Sequence, residues 1–145
     1  MIHIQQLKSI SKETLKDLRV LMSERREDKL IIPICTLSTL KGILKNKDIA
    51  IIVAKDGERL VGVASLHVLS KITKRVSDLE DLVVLNEYRR QGIGEGIVRK
   101  MIEIARAKKI TSIRLTSRPE HLAAHKLYDK LGFKIKETDQ YRLSL

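Results

Sequence analysis

The segment from Val83 to Ala107 most constrains what this chain can fold into. Leu82 to Leu85 is an apolar, partly β-branched run of the kind that forms a buried strand. Gly92, Gly94 and Gly96 then permit a tight turn, and beyond them Ile97, Val98, Met101, Ile102 and Ala105 recur at helical spacing. The pattern predicts strand, turn and helix in succession. Glycines at a helix start let backbone N–H groups approach a ligand without side-chain obstruction. Those donors lack intrahelical partners and sit at the positive end of the helix dipole, so a phosphate is the favoured guest.

Two phosphate-binding motifs of this type fit the spacing poorly. A P-loop needs Lys-Ser or Lys-Thr after its glycines, and neither follows here. The dinucleotide fingerprint needs its third glycine one residue later than Gly96 and an acid further on, and the region from Ser112 to Arg114 has none.

Arg89-x-x-Gly92-x-Gly94, between a short strand and a helix, resembles the pyrophosphate-binding motif of the GNAT N-acetyltransferase superfamily, Gln/Arg-x-x-Gly-x-Gly/Ala. Asp81-Leu82-Val83-Val84 is similar to that family's central strand. His121 to Phe133, which ends Tyr128-Asp129-Lys130-Leu131-Gly132-Phe133, is similar to its later helix and the Leu-Gly-Phe that follows. The resemblance covers Ser77 to Ile135; the first half of the chain matches only in element order. It implies an α/β fold of the α+β type, with a mixed central sheet of roughly six or seven strands flanked by about four helices. It also implies acetyl-CoA as cosubstrate, no metal, and transfer of the acetyl group to a primary amine of a small molecule or protein by direct attack in a ternary complex. The family is often dimeric, so a homodimer is a further expectation.

The resemblance assigns roles residue by residue. Backbone groups of Leu82, Val83 and Val84 would hold the pantetheine and thioester. The pyrophosphate would meet the backbone of Arg89, Arg90, Gln91, Gly92, Ile93, Gly94 and Glu95, with both arginines available for charge-assisted bonds. Tyr128 stands where the family often keeps a tyrosine near the thioester sulfur, and a phenol there can protonate the leaving thiolate. His121 occupies the place of an Asn that contacts the cofactor in the family. Glu80 is the preferred base and Asp81 the reserve; strand alternation would send their carboxylates to opposite faces. His67, in the preceding strand, could line the same cleft. His121 and His125 are four apart and could share a helix face, but no Glu-His motif or Cys accompanies them as a zinc site would require.

Composition sets the alternatives. Lys and Arg number 29 against 18 Asp and Glu, a formal net charge of +11 that predicts attraction to polyanions. Nucleic acid is an unlikely partner, because aromatic residues make up only 3% and stacking platforms are scarce. Coenzyme A phosphates would also benefit, and the alternatives to an enzyme are a catalytically idle acyl-CoA-binding regulatory module and, ranked below it, a basic nucleic-acid-binding protein. No apolar run approaches the roughly 20 residues that span a membrane, and the N-terminus lacks a signal peptide's pattern, so a cytoplasmic location is expected. The single cysteine, Cys35, permits no intramolecular disulfide and reads as a buried thiol.

The remaining elements follow from periodicity. Ile2, Ile4 and Gln6 form a strand; Ser11 caps a helix with Leu15, Leu18, Val20, Leu21 and Met22 as its stripe. Ser23 to Lys29 is a charge cluster, Pro33 breaks the run from Ile31 to Ile34, and Ser38 caps a helix to Lys45. Ile49 to Lys55, Asp56-Gly57, Leu60 to Leu69 and Ser77 to Leu85 predict a three-stranded meander, with Gly62 at a bulge or close approach. Ile113, Leu115 and Ser117 predict a strand, Glu120 to Lys130 a helix ended by Gly132, and Phe133 to Lys136 with Gln140 to Leu143 a closing hairpin. With no linker or repeat, residues 1–145 are expected to form one domain.

Overall fold

Five aliphatic runs pair into one sheet in the computed structural model, which describes residues 1–25 and 36–145. The expected charge cluster beyond Arg25, the break at Pro33 and the thiol of Cys35 lie outside the described residues. The chain divides into two units, Met1–Leu115 and Thr116–Leu145. In the first, β1 (Ile2–Gln6), α1 (Lys12–Arg25), α2 (Leu37–Lys45), β2 (Ile49–Asp56), β3 (Arg59–Ser70) and β4 (Arg75–Val84) come in that order. A 3-10 turn (Asn86–Tyr88), α3 (Ile93–Ala107) and β5 (Ile113–Arg114) follow. The sheet order is β1-β2-β3-β4-β5, antiparallel except for the parallel β4–β5 pair that α3 connects. The second unit contains α4 (Leu122–Lys130).

The fold is therefore mixed α+β with four helices and five strands among the described residues, fewer strands than expected. β5 stops at Arg114 short of Ser117, and Phe133 to Lys136 and Gln140 to Leu143 carry no strand. No residue after Gly132 takes a positive φ, so the tight turn that would fold the last two segments into a hairpin is missing.

Local chemistry accounts for the helices. Ser11 Oγ accepts the Thr14 N–H at 3.1 Å and caps α1, which buries Leu15, Leu18 and Leu21 while Val20 stays 43% exposed. The cap of α2 is Thr36 rather than Ser38: its Oγ1 accepts the Thr39 N–H at 3.1 Å and its carbonyl the Leu40 N–H at 3.0 Å. The helix thus starts two residues ahead of where Ser38 could cap it. The core joins these leucines to Ile52, Val61 and Leu66 of the sheet and to Ile97, Val98 and Met101 of α3. Each such side chain contributes about 1.5–3 kcal/mol on burial.

Gly62 marks a close approach. A Cβ there would sit 3.0 Å from Ile97 Cδ1 and 3.3 Å from Ile93 Cγ2, so the start of α3 rests directly on β3. Gly96 does the same toward β1, where an added Cβ would overlap Ile4 Cδ1. The two glycines fix where the N-terminal end of α3 lies on the sheet.

Candidate active site

A bulge in β4 creates the site. Val63 pairs with Val83 and Ser65 with Glu80, so Asp81 and Leu82 together oppose the single residue Ala64. Asp81 absorbs the extra residue with φ 58°, a left-handed conformation that Asp tolerates better than most non-glycine residues. Asp81 has thereby left the extended conformation on which the expected alternation of Glu80 and Asp81 depends. On the other side, β5 pairs with β4 only at Ser77–Ile113 and Asp78–Arg114. Beyond the bulge the β4 edge from Leu82 to Val84 has no strand partner among the described residues. The Leu85 N–H donates to the Val61 carbonyl at 2.9 Å, so alternation turns the N–H and C=O of Val84 to that bare edge.

The bare edge leads into the glycine turn. Arg90 (φ 61°) and Gly92 (φ 76°) are both left-handed with Gln91 between them, an alternation that turns successive N–H groups to one side. Gly92 is the N-cap of α3, and the Gly96 N–H to Gly92 carbonyl bond, 3.0 Å, is the first of the helix. The N–H groups of Ile93 and Gly94 precede it and point out of the helix end. A Cβ at Gly92 would meet nothing within 4 Å, so the space in front of the turn is open. Ile93 is 4% exposed, and its side chain is core.

The charged residues of the turn divide. Arg89 Nε donates to the Val84 carbonyl at 3.0 Å, tying the end of the bare edge to the turn; its guanidinium is thus partly committed to the protein rather than wholly available to an anion. Arg90 is exposed. Gln91 Nε2 donates to the Glu87 carbonyl at 3.3 Å. Glu95 lies in the first turn of α3, where its carboxylate is drawn along the helix by Arg99 Nε at 2.9 Å and Nη2 at 2.8 Å.

Sequence reasoning missed three supports. Tyr88 Oη donates to Asp56 Oδ2 at 2.8 Å, pinning the 3-10 turn to the β2–β3 hairpin, and Arg59 lies over the Tyr88 ring while bonding Glu87 Oε1 at 3.1 Å. The hydrogen bond to Asp56 holds the Tyr88 phenol above its ordinary value. A backbone hydrogen bond, helped by Arg59, holds Glu87 below the usual carboxylate range. The other supports come from the last turn of α1, where Glu24 Oε2 accepts the Asn86 N–H at 2.9 Å and Arg25 forms an ion pair with Asp81. These contacts span 28 to 62 residues in sequence, and no local pattern announces them.

Glu80 is exposed, in register with Ser65 immediately before the bulge. In the second unit, His121 is the exposed N-cap residue of α4, and His125 Nε2 contacts the Arg118 carbonyl at 2.9 Å. Tyr128 is half-buried, its ring centroid 5.6 Å from that of Phe133. The Phe133 N–H donates to the Tyr128 carbonyl at 3.0 Å and the Gly132 N–H to the Asp129 carbonyl at 3.1 Å, with Gly132 at φ 90°. Leu131-Gly132-Phe133 is thus a glycine helix cap whose hydrophobic contact is the Tyr128 ring.

The family model for the acetyltransferase (GNAT) family matches residues 13–133. The chain belongs to that family. Its members use acetyl-CoA. A glucosamine 6-phosphate N-acetyltransferase from Trypanosoma brucei brucei is 38% identical over 90 residues, 60% of this chain and 58% of that protein. An N-acetylaspartate synthetase from Xenopus tropicalis is 41% identical over 59 residues, 41% of this chain and 22% of that one. The chain therefore matches less than two thirds of the length of these relatives. Among solved structures, a Trypanosoma brucei acetyltransferase superposes with a TM-score of 0.80 at 28% identity, over 100% of both chains.

Proposed function

We propose that residues 1–145 act as one N-acetyltransferase domain moving the acetyl group of acetyl-CoA to a primary amine that also carries an anionic group. The observation that carries this reading is the Asp81 bulge, which leaves the Leu82–Val84 edge bare and leads it into the open Gly92–Gly94 turn. Pantetheine amides complete that edge as a strand would, meeting Val84 through its N–H because Arg89 holds the carbonyl. The pyrophosphate meets the N–H groups from Arg89 through Glu95, with Arg90 supplying charge. The acceptor nitrogen attacks the thioester carbonyl carbon; a C–N bond forms and the C–S bond breaks. Glu80 takes one proton from the acceptor's ammonium; in the roles that the family resemblance gives them, Tyr128 protonates the departing thiolate and is reprotonated by the second proton the nitrogen sheds as the amide forms, and His121 stands at a cofactor-contact position.

Two facts support the acceptor class. The chain carries a net charge of +11, which favours anionic partners over polyamines. The two relatives are named for a sugar phosphate and for an acetylated aspartate, and the parent amine of each carries an acidic group.

The test is release of free thiol from acetyl-CoA with a panel of glucosamine 6-phosphate, glucosamine, L-aspartate and spermidine. Glucosamine 6-phosphate or aspartate is expected to exceed glucosamine and spermidine by at least about tenfold in kcat/KM, a gap of about 1.4 kcal/mol. Glu80→Gln and Tyr128→Phe should each lower kcat by about 10²-fold or more. Tight acetyl-CoA binding with no thiol release from any amine would instead identify an idle acyl-CoA-binding module.

A further inference from the structure

Ser65 and His67 form a hydrogen-bonded pair beside the bulge that the scheme above leaves unused. In the β3–β4 ladder Ser65 stands opposite Glu80 and His67 opposite Asp78, so the four side chains share one face of the sheet. Ser65 Oγ lies 2.8 Å from His67 Nε2 and donates to the Glu80 carbonyl oxygen over a long 3.5 Å. A serine hydroxyl has one proton to give. Where that proton goes to the carbonyl, the ring is the donor in the shorter contact, with the imidazole proton on Nε2 and Nδ1 left as the acceptor. Among the described residues nothing hydrogen-bonds Nδ1.

The surroundings suit a proton acceptor. Ser65 is only 8% exposed and fixed between strands, whereas His67 is half-buried and Glu80 exposed. Among the described residues of β3, β4 and β5, the charged groups on that face are Asp78, Glu80 and Arg114. Arg114 grips Asp78 at 2.8 and 3.1 Å and draws its carboxylate toward β5, so Asp78 does not claim the ring. Across the β2–β3 ladder His67 faces the apolar Ile49. Glu80 lies on the diagonal from His67, a separation of about 7–8 Å between backbone positions that long side chains and one water can bridge.

We propose, resting on the acetyltransferase reading, that His67 is the proton acceptor that completes Glu80. The acceptor's ammonium gives one proton to the Glu80 carboxylate, and the freed lone pair attacks the thioester. Glu80 passes that proton through a water to His67 Nδ1 and returns to a carboxylate; the imidazolium then releases it to bulk water. Charge and protons balance with no further reactant. An imidazole titrates near neutral pH, where a carboxylate is a weak proton sink. Ser65 is a positioning residue that sets the tautomer.

Two measurements on the full chain decide it. Long-range ¹H–¹⁵N NMR of the His67 ring should show the proton on Nε2 at pH 8, and Ser65→Ala should shift the population toward Nδ1. In thiol-release assays with glucosamine 6-phosphate and L-aspartate as probe amines, His67→Gln should lower kcat by about 10²-fold. It should also remove the acid limb of the pH profile near neutrality while KM for acetyl-CoA stays unchanged, and Ser65→Ala should fall between it and wild type. A wild-type ring protonated on Nδ1, or a His67→Gln enzyme that turns over with the wild-type pH profile, overturns this inference alone. A wild-type protein that releases no thiol with any amine overturns the acetyltransferase reading and this inference with it.

Discussion

At Asp81 one residue serves backbone and charge together. Its φ of 58° makes the bulge, and its carboxylate pairs with Arg25. A non-glycine residue held left-handed costs about 1–2 kcal/mol, and a β-branched one more. In urea unfolding, Asp81→Gly should therefore be near neutral, whereas Asp81→Val should lose about 2 kcal/mol or more. The same geometry separates the two candidate bases. A carboxylate engaged by a guanidinium is not the one that meets an incoming amine, so Asp81→Asn should keep most turnover in the thiol assay while Glu80→Gln loses it. An Asp81→Asn enzyme as impaired as Glu80→Gln would make Asp81 the base. The sequence carried the Gly92 turn openly, since glycine spacing is local. It did not carry the bulge, because strand register is decided by the partner strand and not by β4 itself.

At the scale of elements, α3 and the turn before it are seated by contacts of two kinds. The first is shape. An alanine at Gly96 would overlap Ile4 Cδ1, the tip of a flexible side chain, so Gly96→Ala should cost about 1–3 kcal/mol of overpacking rather than abolish folding. Ile4→Val removes that tip, and the double variant should recover about 0.5–1 kcal/mol relative to additivity, read from denaturant midpoints in a double-mutant cycle. Additive effects would mean that α3 shifts instead. The second kind is polar, the Tyr88–Asp56 brace. Its folded-state phenol value lies above the ordinary one, chiefly through the hydrogen bond to Asp56, so its stabilisation is fully present below the ordinary tyrosine value and is lost as pH rises through the raised one. A difference ultraviolet titration of wild type against Tyr88→Phe should reveal one tyrosine ionising above about pH 10. The Tm of wild type should fall more steeply than that of Tyr88→Phe over the same range. Parallel Tm curves would show that the brace contributes nothing. Helices and strands at this scale were legible wherever apolar spacing was strong, as in α1, β2 and α3. The expected C-terminal hairpin was not formed, since alternation at Phe133 and Ile135 offers a face but no turn residue at positive φ joins the two segments.

For the whole molecule, the excess of cations over acids remains after local pairing. Asp78, Asp81, Glu87, Glu95 and Glu103 each already face an arginine or lysine, so these acids are spent on neighbours and the net +11 is spread over the remaining surface. Such a field acts on a multiply phosphorylated cosubstrate before contact, raising its local concentration without altering the bond-breaking step. Salt shortens its reach from about 10 Å at 0.1 M to about 3 Å at 1 M. The expected outcome is a fall of about tenfold in kcat/KM for acetyl-CoA between 0.05 and 0.5 M sodium chloride, with kcat nearly constant. A neutral osmolyte at matched osmolality should have no such effect. If the acceptor also carries an anionic group, its kcat/KM should show a parallel decline while that of glucosamine does not. A flat response for both substrates would make the charge a matter of solubility alone, and a salt-sensitive kcat would place it in the chemistry instead.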